Sequence, residues 1–157
     1  WDDKAGICIQ LKPDKSVLLN KRPELQVCFI GFDEFHLARL QITAFIERYY
    51  PHEADEILLA FHEAAGNALR HGSVTRPVFI RVRDHAGHVS IRIKDSGRGF
   101  DSISYLNSER AKLERHEINS SAFSGRGIGI MLECVDRVCY SVSGNEVLLI
   151  KKTRHHH

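Results

Sequence analysis

The chain has 157 residues, 43% of them hydrophobic and 27% charged, which is the size and composition of one folded globular domain. Its net charge of +2, without any block of like charges, argues against a nucleic-acid partner. No apolar run approaches the roughly 20 residues of a membrane span, so no membrane segment is expected.

Cysteine and histidine usage gives no sign of a metal or disulfide framework. The four cysteines form no C-x-x-C pair, and we predict reduced thiols in a cytosolic protein. These are Cys8, Cys28, Cys134 and Cys139. The last three residues, His155, His156 and His157, are interpreted as the remnant of an affinity tag.

The first third of the chain predicts two strands and the start of a helical layer. Residues 7–11 read as a short strand, residues 12–24 as a polar linker with two prolines, and residues 25–32 as a second strand. Asp33 can cap a helix that runs to about Tyr50. Its predicted core-facing residues are Ile42, Phe45, Ile46 and Tyr49.

The middle of the chain predicts a second helix and a hairpin. Pro51 ends the first helix, and the second runs from about Glu53 to Gly72. Apolar residues then alternate with polar ones in two segments separated by Gly87, which is typical of a β-hairpin. The inward positions are Val78, Ile80, Val82, Val89, Ile91 and Ile93.

The last third begins with a long polar segment, residues 100–124, which we interpret as an irregular, functional loop. A glycine-rich turn and a short helix to about Val138 follow. Strands over 138–143 and 146–151 then flank Gly144-Asn145, a strong hairpin signal. The element order predicts an α+β fold: a two-layer α/β sandwich whose mixed, mostly antiparallel sheet has helices on one face.

Three motifs suggest chemistry, although each is modest alone. On the second helix, Glu63, Asn67 and His71 are spaced by four residues and share a face, roughly opposite the apolar stripe of Leu58, Phe61, Ala65 and Leu69. An asparagine oxygen there suits a hard cation such as magnesium. A glutamate could act as a general base. The alternative interpretation is a solvated polar face.

The second motif is the D-x-G-x-G run of Asp95, Gly97 and Gly99, which directly follows a strand. Asp95 can accept a hydrogen bond from an exocyclic amine, and the glycines allow a flat ligand to approach the backbone. The third is GRGIGI, in which Gly125, Arg126, Gly127 and Gly129 open a helix whose free N–H groups can bind phosphate. The alternatives are an ordinary turn and a flexible hinge.

Together, in this order, the motifs resemble the N, G1 and G2 boxes of the GHKL (Bergerat-fold) ATPases over residues 25–151. The resemblance is closest to the anti-sigma-factor serine kinases, because Glu63, Asn67 and His71 match their E-x-x-x-N-A-x-x-H pattern. Met131 and Asp136 also match the register of their G2 helix. We therefore expect an ATP-binding kinase domain over 25–152, with a tail over 153–157.

The resemblance implies residue roles. Asn67 would ligate magnesium, Glu63 would activate a serine hydroxyl, and Asp95 would recognise adenine with Gly99 beside the base. His71 and Gly97 would belong to the same nucleotide site, and the glycine run from Gly125 to Gly129, with Arg126, would surround the phosphates of ATP. Residues 100–124 would form a lid, in which Arg110, Lys112 and Arg115 are all open candidates for a phosphate contact.

The resemblance also implies partners. It suggests a STAS-type anti-sigma-factor antagonist as substrate, a sigma factor as a second partner, and a homodimer in the cytoplasm. Asp2 and Asp3 before the first strand resemble the end of a PP2C-like phosphatase domain, so residues 1–24 could be the end and linker of such a domain. The competing hypotheses are an ATP-dependent binding module without phosphoryl transfer and a slow ATPase switch.

Overall fold

The computed structural model describes residues 8–10, 22–72, 75–99, 101–114 and 126–154. Six strands and four helices occur in this part of the chain. In chain order they are β1 (Cys8–Gln10), β2 (Glu24–Phe29), α1 (Gly31–Tyr49), α2 (Ala54–His71), β3 (Val78–His85), β4 (His88–Lys94), α3 (Ser102–Glu114), α4 (Arg126–Cys134), β5 (Arg137–Tyr140) and β6 (Glu146–Lys152).

The strands form one sheet in the order β1-β2-β3-β4-β6-β5. Every described pairing is antiparallel. The predicted α+β sandwich is therefore confirmed. The expected short strand lies at the sheet edge as β1. The expectation of a mixed sheet is replaced, among the described strands, by a fully antiparallel one.

The core lies between one face of the sheet and the helices. Alternate strand residues point toward the helices, so rows of side chains cross the sheet; one row runs through Ile80, Ile93, Val147 and Tyr140. The helices pack small and aromatic residues against this face, such as the fully buried Phe61 of α2. Burying one such side chain stabilises the fold by about 1.5–3 kcal/mol.

The junction between β2 and α1 differs from the sequence prediction. The strand ends at Phe29 and the helix begins at Gly31, whose φ of 71° lets the chain turn sharply. Asp33 is therefore inside the first turn and does not cap the helix. Instead, the carboxylate of Glu34 accepts a hydrogen bond from the Ile30 N–H at 2.7 Å.

The predicted core face of α1 is partly wrong. Ile42 and Ile46 are fully buried, as expected, and Phe45 is half-buried. Tyr49, however, is 37% exposed, and its ring lies 4.8 Å from that of Phe45. The buried tyrosine is its neighbour Tyr50, whose hydroxyl donates to Asp84 at 2.7 Å. The buried stripe therefore runs through Ala38, Ile42, Ile46 and Tyr50.

The segment over 100–124 is not wholly irregular, because it contains the helix α3. Its only buried side chains are Ser102 and Leu106, so its sequence shows almost no helical periodicity. The next helix, α4, ends at Cys134 rather than near Val138, and β5 is correspondingly short. None of the helices in the described ranges is both long and apolar enough to cross a membrane.

The residues just before β2 and just after β6 meet at the β3–β4 hairpin. The backbone N–H of Asp84 donates to the Pro23 carbonyl at 3.1 Å, and that of Thr153 donates to the Gly87 carbonyl at 3.0 Å. The N–H of Arg154 donates to the Glu53 carboxylate at the start of α2, at 2.9 Å. The three predicted motifs gather at the opposite end of the sheet.

Candidate functional site

The second half of α2 forms the centre of the site because small residues allow close packing. Ala64, Ala65 and Ala68 are buried, so α4 and the sheet approach the helix backbone closely. Asn67, on the predicted polar face of α2, is half-buried rather than fully solvated. The reason is that α4 packs across α2 and covers this flank of the helix.

Asp95 occupies the end of β4, next to the last turn of α2. Its backbone N–H donates to the Asn145 carbonyl at 2.9 Å, and its carboxylate accepts from the Gly97 N–H at 2.7 Å. Only 6% of the residue is exposed. Burial raises the pKa of this carboxyl, while the Gly97 N–H and the nearby His71 lower it. Asp95 is therefore a fixed, poorly solvated hydrogen-bond acceptor.

The D-x-G-x-G loop needs its glycines for close packing. A Cβ on Gly97 would lie 2.5 Å from the Gly72 Cα, at the end of α2. Gly99 has a φ of 73° and packs so tightly against Ser143, in the β5–β6 turn, that a Cβ would overlap its carbonyl. The loop is thus held between α2 and the β5–β6 turn, and Gly99 contacts this turn.

A pocket opens between α2 and the end of the sheet. Its walls include Asn67 and Ala68 from α2, Ile93 and Asp95 at the end of β4, and Tyr140 of β5. The walls mix apolar side chains with polar ones, and Asp95 is a buried acceptor suited to an amine. The cavity has a volume of about 10 Å³, the space of roughly one water molecule, so a flat heterocycle would enter only as the walls separate. Burial and the charge of Asp95 raise the pKa of Tyr140, and a hydrogen bond with Asn67 lowers it.

The first turn of α4 lies directly against Glu63 and Asn67. A Cβ on Gly127 would be 2.8 Å from Glu63 Oε2 and 3.5 Å from Asn67 Nδ2, so any larger residue there would displace the Glu63 carboxylate. Free N–H groups at a helix start bind phosphate. The Gly-rich helix and the polar face of α2, which the sequence only suggested were partners, are therefore brought together.

The oxygen atoms of Glu63 and Asn67 at this turn are suitable ligands for a magnesium–phosphate group. A carboxylate and an amide oxygen are hard ligands, and magnesium usually takes one or two protein ligands together with phosphate oxygens and water. No group of three or more His, Cys, Asp or Glu side chains that could hold a metal occurs among the described residues. A divalent cation at Asn67 would accordingly depend on a phosphate ligand to complete its coordination.

The chain matches the family described as the histidine kinase-like ATPase domain over residues 33–151. It belongs to this family. No curated protein matches the chain. Membership implies that the domain binds ATP, and it supports a kinase or ATPase activity. In this ATPase domain the buried Asp95 end of the pocket is suited to adenine, and the Gly127 turn is suited to phosphate.

Arg70 is a site residue of this ATPase domain that the sequence analysis missed. Its guanidinium Nη2 donates to Asn67 Oδ1 at 2.6 Å. A Cβ on Gly66 would lie 3.2 Å from Nη1, so the arginine folds back along its own helix. The spacing of three residues from Asn67 was a usable signal, because residues three apart are neighbours on a helix surface.

Tyr140 was also missed, because its sequence context is only that of a strand ending. The strand register places it beside Val147, on the row that crosses the sheet to Ile93. A tyrosine at the end of a core row has a buried ring and a hydroxyl that reaches a polar site. No sequence pattern reports which strand lies next to β6, so this position could not be found without the topology.

Two of the lid candidates have partners within the domain. Arg110 donates to the Val138 carbonyl at 3.2 Å, and Lys112 donates to the Glu109 carboxylate at 2.8 Å. Glu109 in turn lies against α4, since its Oε2 would be 2.9 Å from a Cβ on Gly129. The third candidate, Arg115, lies outside the described residues.

The remaining predicted site residues are placed only in part. Gly125 lies outside the described residues, and Arg126 is described as the first residue of α4 without its side chain. His71 is exposed at the end of α2 and acts on Asp95 through its charge. The structure thus brings Glu63, Asn67 and Gly127 together at one end of the pocket.

Proposed function

We propose that this domain is a magnesium- and ATP-dependent protein-serine kinase of the anti-sigma-factor type. The observation that carries the proposal is the position of Glu63. Its carboxylate lies at the start of α4, one helical turn from Asn67, where the phosphates of ATP would bind. Binding of ATP alone gives no reason to keep a carboxylate next to a triphosphate, whereas a base is useful at that point.

The residues would share the work of phosphoryl transfer. The α4 N–H groups and Asn67, with magnesium, would position the triphosphate, since most catalysis in this reaction comes from positioning and charge stabilisation. Glu63 would accept the proton of a serine hydroxyl. The hydroxyl oxygen would then bond to the γ-phosphorus as the bond to the β–γ bridging oxygen breaks, which leaves ADP and a phosphoserine.

The proposed substrate is a serine of a STAS-type anti-sigma-factor antagonist, in a partner-switching pathway. A sigma factor is the proposed second partner, and a homodimer in the cytoplasm is the proposed assembly. An upstream PP2C-like phosphatase domain would oppose the kinase on the same antagonist. The antagonist, the sigma factor and the homodimer are supported by the motif pattern of α2 and α4, and the phosphatase domain by the Asp2-Asp3 pair before β1, rather than by any contact in the structure.

The second candidate is an ATP-dependent protein-binding module without phosphoryl transfer. It is favoured by the close approach of Glu63 Oε2 to the Gly127 backbone. A carboxylate at that position can stabilise the positive end of α4 without any part in proton transfer. In that case Glu63 would be a structural residue, and the nucleotide would only control the shape of the partner surface.

The deciding experiment is Glu63→Gln, which keeps the size of the side chain and removes its basicity. Calorimetry with Mg-ATP, Mg-ADP and Mg-GTP would measure binding. Transfer of labelled γ-phosphate would be measured on a panel of STAS-domain antagonists, each compared with its version lacking the acceptor serine. Glu47→Gln, at an exposed position of α1, is the matched control.

For a kinase, we expect adenine-selective binding that Glu63→Gln leaves within about twofold, and loss of transfer by roughly 100-fold or more. Undiminished transfer in Glu63→Gln would remove Glu63 from the chemistry. No transfer by the unmodified chain to any antagonist, together with tight Mg-ATP binding, would favour the binding module.

A further inference from the structure

The amide oxygen of Asn67, which is the best candidate ligand for magnesium, already has a cationic partner. Arg70 Nη2 donates to it at 2.6 Å, a short distance for a hydrogen bond from a charged donor. The arginine and the asparagine are three residues apart on α2, so the contact needs no change of backbone. A positive charge therefore lies next to the oxygen on which a metal would be held.

The position of Gly66 favours this arginine conformation. Gly66 lacks the Cβ that would come within 3.2 Å of Arg70 Nη1, so the guanidinium can lie flat along the helix. The Asn67 amide is also close to Tyr140, whose hydroxyl pKa is raised by burial and lowered by this amide.

A magnesium ion and the guanidinium oppose each other at this oxygen. Magnesium binds an oxygen ligand at about 2.1 Å, which would leave the two cations on one oxygen only about 4 Å apart. Repulsion between a divalent cation and a guanidinium at that separation amounts to roughly thirtyfold in affinity even in bulk water, and to more near a protein surface. Arg70 must therefore move away when the metal binds.

We propose that Arg70 competes with magnesium for the amide oxygen of Asn67. It orients the Asn67 amide, it lowers the affinity of the site for magnesium when no nucleotide is bound, and it is displaced from the amide oxygen when Mg-ATP binds. Arg70 is thus a positioning residue that couples metal entry to nucleotide entry. The inference rests on the proposed role of Asn67 as a magnesium ligand for bound ATP.

The test uses the dependence of ATP binding on magnesium. For each protein, calorimetry gives the dissociation constant for ATP in EDTA and at saturating magnesium, and their ratio is the coupling between metal and nucleotide. The variant Arg70→Met removes the charge and keeps a helix-forming chain. Arg48→Met, at an exposed position of α1, controls for loss of one positive charge, and Arg70→Lys restores a cation.

We expect the ratio to rise by roughly three- to tenfold in Arg70→Met, because competition with magnesium is relieved and metal-free ATP loses a neutralising cation. Arg48→Met should leave the ratio unchanged, and Arg70→Lys should return it toward the unmodified value. In nucleotide-free protein, the side-chain amide NMR signal of Asn67 should shift in Arg70→Met and not in Arg48→Met.

An equal loss of affinity with and without magnesium would overturn the proposal, since it would make Arg70 a simple phosphate contact. An unchanged or lowered ratio in Arg70→Met would overturn it as well. If the unmodified chain binds ATP but shows the same affinity in EDTA and magnesium, only this inference and the metal role of Asn67 fail. If it binds no nucleotide in either condition, the proposed function fails and the inference fails with it.

Discussion

The two ends of the pocket are built on different physical principles. At the Asp95 end, the acceptor is buried, and backbone hydrogen bonds to Gly97 and Asn145 hold it in place. At the Gly127 end, the polar groups of Glu63, Asn67 and Arg70 are half-buried or exposed. The Asp95 end is held by backbone hydrogen bonds and packing, whereas the Gly127 end is formed by side chains that can exchange partners.

The difference indicates how the two parts of a nucleotide are handled. A base is recognised by shape and a few hydrogen bonds, so its site gains from rigidity. A triphosphate enters with metal and a large negative charge, so its site needs groups that can rearrange while charge is neutralised. We therefore expect mutations at the two ends to differ in kind, with structural losses at the first and coupling changes at the second.

The largest expected effect is a loss of stability caused by a substitution at the rigid Asp95 end of the pocket. Gly99→Ala requires an alanine at a φ of 73° and places a Cβ onto the Ser143 carbonyl. We expect a loss of about 2–4 kcal/mol in the free energy of unfolding, from backbone strain together with overpacking. Urea denaturation followed by circular dichroism would measure it.

Gly66→Ala is the matched control for that substitution. Its Cβ would meet only the flexible end of Arg70, and alanine is the better helix former. We expect unchanged or slightly increased stability. Equal losses in the two variants would show that the Gly99 loop is no more rigid than the surface of α2.

The next effect is on recognition at the same end. Asp95→Asn keeps an acceptor for the Gly97 N–H but replaces part of the carboxylate by an N–H donor. We expect ATP affinity to fall by roughly 1–3 kcal/mol, because a donor would face the amine of adenine. Calorimetry with ATP measures it, and an unchanged affinity would contradict the assignment of this end to the base.

A smaller effect is expected at the boundary between the two ends. Tyr140→Phe keeps the ring in its core row and removes the hydroxyl that faces Asn67 and Asp95. We expect Mg-ATP to bind roughly two- to tenfold more weakly, because the Asn67 amide loses one of its two partners. Tyr49→Phe, on the exposed side of α1, should leave the binding constant unchanged.

The smallest expected effect is on the pH dependence of the folding stability, measured without nucleotide. The folded structure raises the pKa of Asp95, chiefly by burial, so ionisation of this group opposes folding. Its contribution to stability is present at low pH and is lost as pH rises through the folded pKa. Asp95→Asn should therefore raise the melting temperature at neutral pH by roughly 1–3 °C.

The advantage of Asp95→Asn should shrink under acidic conditions, where the carboxyl is protonated in both folded and unfolded chains. Differential scanning calorimetry across the acidic range would check the sign. An advantage that grows on acidification would mean that the ionised carboxylate is favoured by the fold, and Asp95 would then belong with the adaptable end of the pocket.

The sequence predicted the fold class and most elements because two periodicities were clear. Alternation marked β3 and β4, and the apolar stripe that includes Phe61 marked α2. The helix α3 was missed because it buries only two of its side chains, Ser102 and Leu106. A helix that rests on a domain through so few residues carries little periodic signal.

For the site as well, residues with a local sequence signal were predicted and residues that depend on the three-dimensional fold were not. Glu63, Asn67, Asp95 and the glycines were found because short motifs and local spacing report them. Tyr140 depends on β6 lying between β4 and β5, which is a non-local fact of topology. The Arg70 contact depends on the rotamer of a long side chain, which neither spacing nor composition determines.

The meeting of Pro23 and Thr153 at the β3–β4 hairpin has an architectural consequence. The strand β4 separates that hairpin from Asp95, a distance of roughly 20 Å at the usual rise per residue. The turn of this hairpin at Gly87 therefore lies on the side remote from the pocket. A fluorescent reporter or a regulatory module inserted at this turn would leave the nucleotide entrance open.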